Sequence, residues 1–237
     1  MKTIIFIFLI FISRQNVFAE TFSTNNFTLR AGLSFNLTEI RTDRLIDNHE
    51  ASKGDTEDET RTSAYGFVTS IGYRFKDWEL ACASDAIFGT FKDVTFIDGS
   101  NSIRGGGSIR LVSIGPQVKY YTPYTAFNVA NFYLGFGPSW SLETFVFSHS
   151  RTSGTFNDKK RISFENYGGG IFIGVEEIHP FKEKHPMFLE VGYSYMHSYK
   201  VSVLDSTNST DVITLSEGDS NDFSAQYIIV RAGLTLF

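Results

Sequence analysis

Apolar and polar residues alternate with a period of two along most of this chain, the signature of β-strands. Residues 27–37 put Phe27, Leu29, Ala31, Leu33, Phe35 and Leu37 on one face, with Thr28, Arg30, Gly32, Ser34 and Asn36 on the other. Seven further runs follow at 64–75, 78–91, 108–121, 131–147, 163–177, 187–203 and 223–237. In each, one face is large and apolar. The other carries Gly, Ala, Ser and charge. A soluble sandwich would carry many Lys and Glu on its outer face. Small residues opposite a greasy face suit the crowded inside of a narrow membrane barrel, with the apolar face toward lipid.

The spacing between the runs predicts how they connect. Lys76-Asp77, 122–130 and 178–186 are short, whereas 38–62, 92–107, 148–162 and 204–222 are longer and polar. Short periplasmic turns alternating with longer external loops is the arrangement of outer-membrane barrels. The predicted fold is therefore all-β, a closed antiparallel transmembrane barrel of about eight strands. Lipid offers no hydrogen bonds to an open edge, so the first strand must pair with the last. Residues 30–35 (RAGLSF) and 231–237 (RAGLTLF) echo one another across that expected seam.

Composition and the N-terminus then fix the compartment. Lys2, the nine-residue apolar run Ile4 to Ile12 and Val17-Phe18-Ala19 have the layout of a signal peptide cleaved after Ala19. The run is too short to cross a bilayer as a helix, which takes about 20 residues. The expected organisation is a signal peptide at 1–19 and a barrel at 20–237. Phe and Tyr are abundant, at 24 and 11, as aromatic-rich barrel exteriors require. Cys82 is the one cysteine, so no internal disulfide can form. The net charge is −5, or −7 once Lys2 and Arg14 leave with the leader, which excludes a nucleic-acid role.

Ser113-Ile114-Gly115-Pro116-Gln117-Val118-Lys119-Tyr120, Phe132-Tyr133-Leu134-Gly135-Phe136-Gly137-Pro138 and the final Phe237 carry a family resemblance. The chain resembles the small outer-membrane barrels that include the outer-membrane protein A transmembrane domain, the opacity proteins and the outer-membrane protein W type. The resemblance implies lipid and lipopolysaccharide as surroundings, and the barrel-assembly machinery as a partner reading Phe237. Thr235 and Gly233, not Leu236 and Leu234, stand in phase with that aromatic.

The polar face holds the candidate site. Arg30, Arg74, Lys119, Lys200 and Arg231 are expected inside, against Glu79, Asp85, Glu143, Glu176 and Glu190. Unpaired charges there would cost several kcal/mol each, so a matched network that plugs the lumen is expected. A narrow water-filled pore lined by the same residues is the alternative.

Other chemistry has weaker grounds. His149-Ser150 and His197-Ser198, with Glu143 or Glu190 as orienting acid, could form a lipid hydrolase. However, alternation sends His197 and Ser198 to opposite faces, so no catalytic residue is assigned and no enzyme is expected. The acidic stretch 43–59 lacks the spacing of a Ca²⁺ loop. His179 and His185 flank prolines and read as turn residues, leaving no metal and no cofactor. The glycine runs at 105–107 and 168–170 open no helix. They read as a loop-to-strand hinge and as small lumen residues. Phe145, Phe172 and Met196 fall in the inward phase. They keep open a passage for small hydrophobic molecules beside the main expectation of a structural or surface-interaction barrel.

Overall fold

The structure is a computed structural model that describes residues 26–41, 45–47, 59–126, 130–156, 159–178, 186–205, 212–214 and 223–236. The signal segment, His179, His185 and Phe237 lie outside the described residues, as does most of the acidic stretch 43–59.

Ten strand segments are described: β1 Phe27–Arg41, β2 Leu45–Asp47, β3 Glu59–Phe75, β4 Trp78–Asp98, β5 Asn101–Ala126, β6 Ala130–Ser153, β7 Lys159–Ile178, β8 Met187–Asp205, β9 Val212–Thr214 and β10 Ser224–Thr235. Eight of them close a ring in the order β10-β1-β3-β4-β5-β6-β7-β8, with β8 returning to β10 and every pairing antiparallel. The short β2 and β9 add to β4 and β8 at the end where the long connections lie. That end is the loop end, and the opposite one is the turn end.

The closing seam runs from Arg30 opposite Thr235 to Arg41 opposite Ser224. Its two echoed segments therefore face one another head to tail about the pair Gly32–Gly233. A Cβ on Gly32 would lie 2.2 Å from the Ala232 carbonyl oxygen, so the backbones there approach too closely for any side chain.

Two expected loops turn out to be strand. Residues 92–107 are the far half of a hairpin, in which β4 runs to Asp98, turns at Gly99 (φ 57°) and Ser100, and returns as the 26-residue β5. Residues 148–153 continue β6, and a 3-10 turn at Gly154–Phe156 precedes β7. Spanning a bilayer takes about 9–11 tilted residues, so these strands stand well clear of it. Beyond the lipid their outer face must be polar, as at Thr90, Lys92, Arg104 and Arg151. Such a stretch reads as loop even though Val94, Phe96, Ile103 and Phe147 keep the period inside. The glycines at 105–107 sit within β5 at a register shift, not at its entry.

The exterior is that of a membrane protein. Leu33, Phe67 and Ile171 are each more than half exposed, and among the described residues 27 large hydrophobics face outward. Aromatic pairs mark both edges of this belt: Phe27–Tyr73 and Trp78–Tyr120 at the turn end, Tyr167–Tyr199 and Tyr167–His197 at the loop end. Left in water, so much apolar surface would drive aggregation. Between two aromatic girdles it is a lipid-facing wall. The chain is a closed, outer-membrane-type β-barrel, with short periplasmic turns and longer external connections.

Candidate functional site: the barrel interior

The interior is two regions stacked along the axis. The turn-end half is ionic. Arg30 on β1 is 1% exposed and reaches two strands. Its Nη1 donates to Glu79 Oε1 on β4 (2.5 Å) and its Nη2 to Glu79 Oε2 (2.7 Å). Its Nε and Nη2 also donate to the two oxygens of Glu176 on β7, each at 2.8 Å. Arg231 on β10 forks onto Asp85 at 3.0 and 2.6 Å and also pairs with Glu190 on β8. Lys119 on β5 meets Glu190 at 3.1 Å. Three of these links, Arg30–Glu176, Arg231–Asp85 and Lys119–Glu190, join strands three places apart in the ring. They therefore cross the lumen and do not merely line its wall.

Hydroxyl groups complete the layer. Tyr121 places its hydroxyl 2.7 Å from Glu79 and 2.6 Å from Glu176, and accepts from Arg30 at 3.0 Å. Tyr133 donates to Glu190, Thr235 to Glu176 and Ser113 to Asp85. Arg74, opposite Glu79 across the turn, stacks its guanidinium 3.7 Å from the centre of the Tyr121 ring. Room for these aromatics comes from glycine. A Cβ at Gly174 would fall 2.3 Å from the Tyr133 ring, and one at Gly192 would fall 2.3 Å from Phe172. The inward tyrosines are not among the charged residues that mark the polar face in the sequence. The available signal was their parity, since Tyr121 shares a face with Lys119, and Tyr133 with Gly135.

Eight of the ten candidate residues thus meet in one half of the barrel: Arg30, Arg74, Lys119, Arg231, Glu79, Asp85, Glu176 and Glu190. The other two do not join them. Lys200 faces outward, where it pairs with Glu165 at 2.5 Å with both side chains partly exposed. Glu165 registers with Lys200 but Asn166 with Ser198, so Tyr199 is an extra residue that turns Lys200 out. Glu143 is buried beyond the ionic layer without a salt bridge among the described residues. It accepts from Tyr227 (3.1 Å) beside Asn166, Ser141 and Ser198, and its Oε1 has no partner.

The loop-end half is apolar. Phe91, Phe145, Phe147, Phe164, Ile162 and Val201 are buried together, and Leu45, Phe96, Phe156 and Phe223 close over them. Glycine and serine were expected throughout the lumen, and this half departs from that. Above the belt the strands enclose a water-excluding core, so their inner faces must be hydrophobic. Phe145, Phe172 and Met196 belong to that packed core. Where the two halves meet there is a cavity of about 30 Å³, bounded by Asn36, Asp85, Gln117, Arg231, Phe172 and Met196. At about 10–15 Å³ per water it has room for two or so.

The hydrolase candidates are dispersed. His149 is exposed on the outer extension of β6, while Glu143 is buried inside. His197 packs against Tyr167 on the outside, whereas Ser198 points inward and donates to Asn166. Cys82 is exposed on the lipid-facing side.

No protein-family model and no curated protein matches the chain. Among solved structures it is similar to Neisserial surface protein A, at 14% identity over 89% of this chain and 97% of that one, with a TM-score of 0.43. It is also similar to the outer-membrane protein OprG of Pseudomonas aeruginosa (11% identity, 88% and 92% covered, TM-score 0.44). A third is the outer-membrane protease OmpT of Escherichia coli (11%, 91% and 98%, TM-score 0.43). At that distance the likeness is no guide to activity.

Proposed function

We propose that this barrel is a structural or surface-interaction protein of the outer membrane whose lumen is plugged, with no enzymatic activity of its own. The cross-lumen ion pairs carry the reading. Three basic side chains span the bore to carboxylates on distant strands, and hydroxyls take up much of the remaining hydrogen bonding. Moving an ion along that path would mean breaking buried pairs, at about 3–5 kcal/mol each when one partner is lost. The packed phenylalanines of the loop end form a second barrier. Contact with the surroundings then falls to the extended β4–β5–β6 region and the external connections, and the barrel-assembly machinery remains the partner expected for biogenesis.

Planar-bilayer recording tests the plug. The expected result is no stable open level for the wild type, with conductance appearing in Arg30→Ala. Large, steady wild-type currents would overturn it.

A second reading, passage of small hydrophobic molecules, has one observation in its favour. Pairing between β5 and β6 is interrupted between Ile114–Trp140 and Val118–Phe136, and Pro138, within that interval, borders the mid-barrel cavity. Uptake of an apolar dye into liposomes carrying the protein, above that of empty liposomes, would favour passage over the plug.

A further inference from the structure

One buried carboxylate stands apart from the ionic layer. Glu143 on β6 is 1% exposed, accepts from Tyr227 through Oε2 and keeps an Oε1 with no partner. An ionised carboxylate in a dry interior without a counter-charge is strongly unfavourable. Phe164 lies directly opposite Glu143 on β7, and Phe145, the next inward residue of β6, packs edge-on against it. That apolar layer separates the carboxylate from the loop-end connections, so its surroundings are those of the ring strands.

Those surroundings are oxygen. Ser141, Asn166 and Ser198 stand abreast on β6, β7 and β8. Asn166 donates through Nδ2 to Ser141 Oγ (3.2 Å) and to the Tyr227 hydroxyl (3.5 Å), and its Oδ1 accepts from Ser198 at 2.5 Å. A carboxylate, an amide carbonyl and three hydroxyls are thus linked in one cluster. The mid-barrel cavity adjoins it, since Ser141 and Tyr227 also bound that space. Asn36 and Gln117 bound it too, and Asn36 Oδ1 and Gln117 Oε1 have no partners. With Glu143 Oε1, three orphaned acceptors occupy this part of the lumen against one orphaned donor, Asn36 Nδ2.

We propose that this cluster binds a single monovalent cation of sodium's size, with Glu143 as the charged ligand and oxygens of Ser141, Asn166, Ser198 and Tyr227 around it. The inference rests on the closed lumen proposed above and names what that lumen holds. Three features favour this occupant. One carboxylate matches one positive charge, whereas a divalent ion would leave a net charge buried near Arg231. No group of three or more His, Cys, Asp or Glu side chains gathers among the described residues to hold such an ion. Hard cations take several oxygen ligands at once. A proton would neutralise Glu143 without using the other four side chains, and water would bring no charge at all. The adjoining cavity of about 30 Å³ gives room for the ion with a water beside it. Buried this deeply, the ion is loaded as the chain folds.

Urea unfolding of the full-length mature protein from lipid vesicles tests this, with choline chloride replacing sodium chloride at constant ionic strength. An ion bound only by the folded state shifts unfolding by mass action. The expected result is an unfolding constant that falls about tenfold for each tenfold rise in sodium above its dissociation constant. Glu143→Gln keeps an acceptor for Tyr227 and should abolish that dependence. Ser198→Ala keeps the charge and should move the response to roughly tenfold higher sodium, a second readout that serves if the Gln variant does not fold. Equal unfolding constants in sodium and choline would overturn the proposal and leave a proton or water in the place. A sodium response that persists in Glu143→Gln would overturn it too, as would saturation of the effect by micromolar calcium. Planar-bilayer recording of the same wild-type preparation separates the two levels of the reading. Sodium indifference without conductance strikes the cation site alone, whereas steady conductance strikes the closed lumen beneath it.

Discussion

The two halves of the barrel's interior solve one packing problem with opposite chemistry. Near the turns, Arg30, Arg231 and Lys119 are held by carboxylates drawn from across the bore. Near the loops, Phe145, Phe164 and Ile162 exclude water by close packing. The difference follows from what surrounds each. The turn-end half lies within the lipid belt, where the wall is thin and the bore is filled by long side chains that satisfy one another. The loop-end half rises above the membrane with water outside it, so it must be cored like a soluble domain. Ionic filling is directional and fixes which strands stand opposite. Apolar filling is tolerant of exchange.

That contrast can be broken most severely at Arg30. Arg30→Met strands Glu79 and Glu176 in the bore and should cost about 3–5 kcal/mol in urea unfolding from lipid vesicles. Adding Glu79→Gln and Glu176→Gln should recover much of it. No recovery would mean that Arg30 acts through packing and not charge. A milder probe sharpens the other half: Ile162→Val should cost about 0.5–1.5 kcal/mol in the same assay, with no dependence on ionic strength. The smallest effect is expected outside. Lys200→Ala removes a partly exposed pair and should change stability by less than about 1 kcal/mol. A loss comparable to that of Arg30→Met would put Lys200 back in the lumen.

The lipid-facing belt was legible in the sequence because alternation is a local property. Phe35 and Asn36 declare their faces without reference to any other strand. The same parity places Arg30, Glu79 and Glu190 inside. Their pairing was not legible, since it depends on ring order and on the stagger between strands. A single extra residue, Tyr199, was enough to misplace Lys200, because one inserted position inverts every face beyond it. The apolar loop-end core was hidden for another reason. Val94, Phe96 and Ile103 alternate with polar neighbours that face water, and the mixture has the composition of a loop. Gly99 and Ser100, a tight turn in its midst, are the one local sign that two strands meet there.

Both guanidinium groups that span the bore come from the seam joining the first and last strands, two residues to either side of Gly32 and Gly233. The acids they grip sit on β4, β7 and β8. Arg231 reaches Asp85 and Glu190 only once β10 lies beside β1, so part of the internal charge stays unmatched until the ring closes. Zipping up the cylinder and completing its internal charge pairing are therefore coupled, and the strand that carries Arg231 sets the latch.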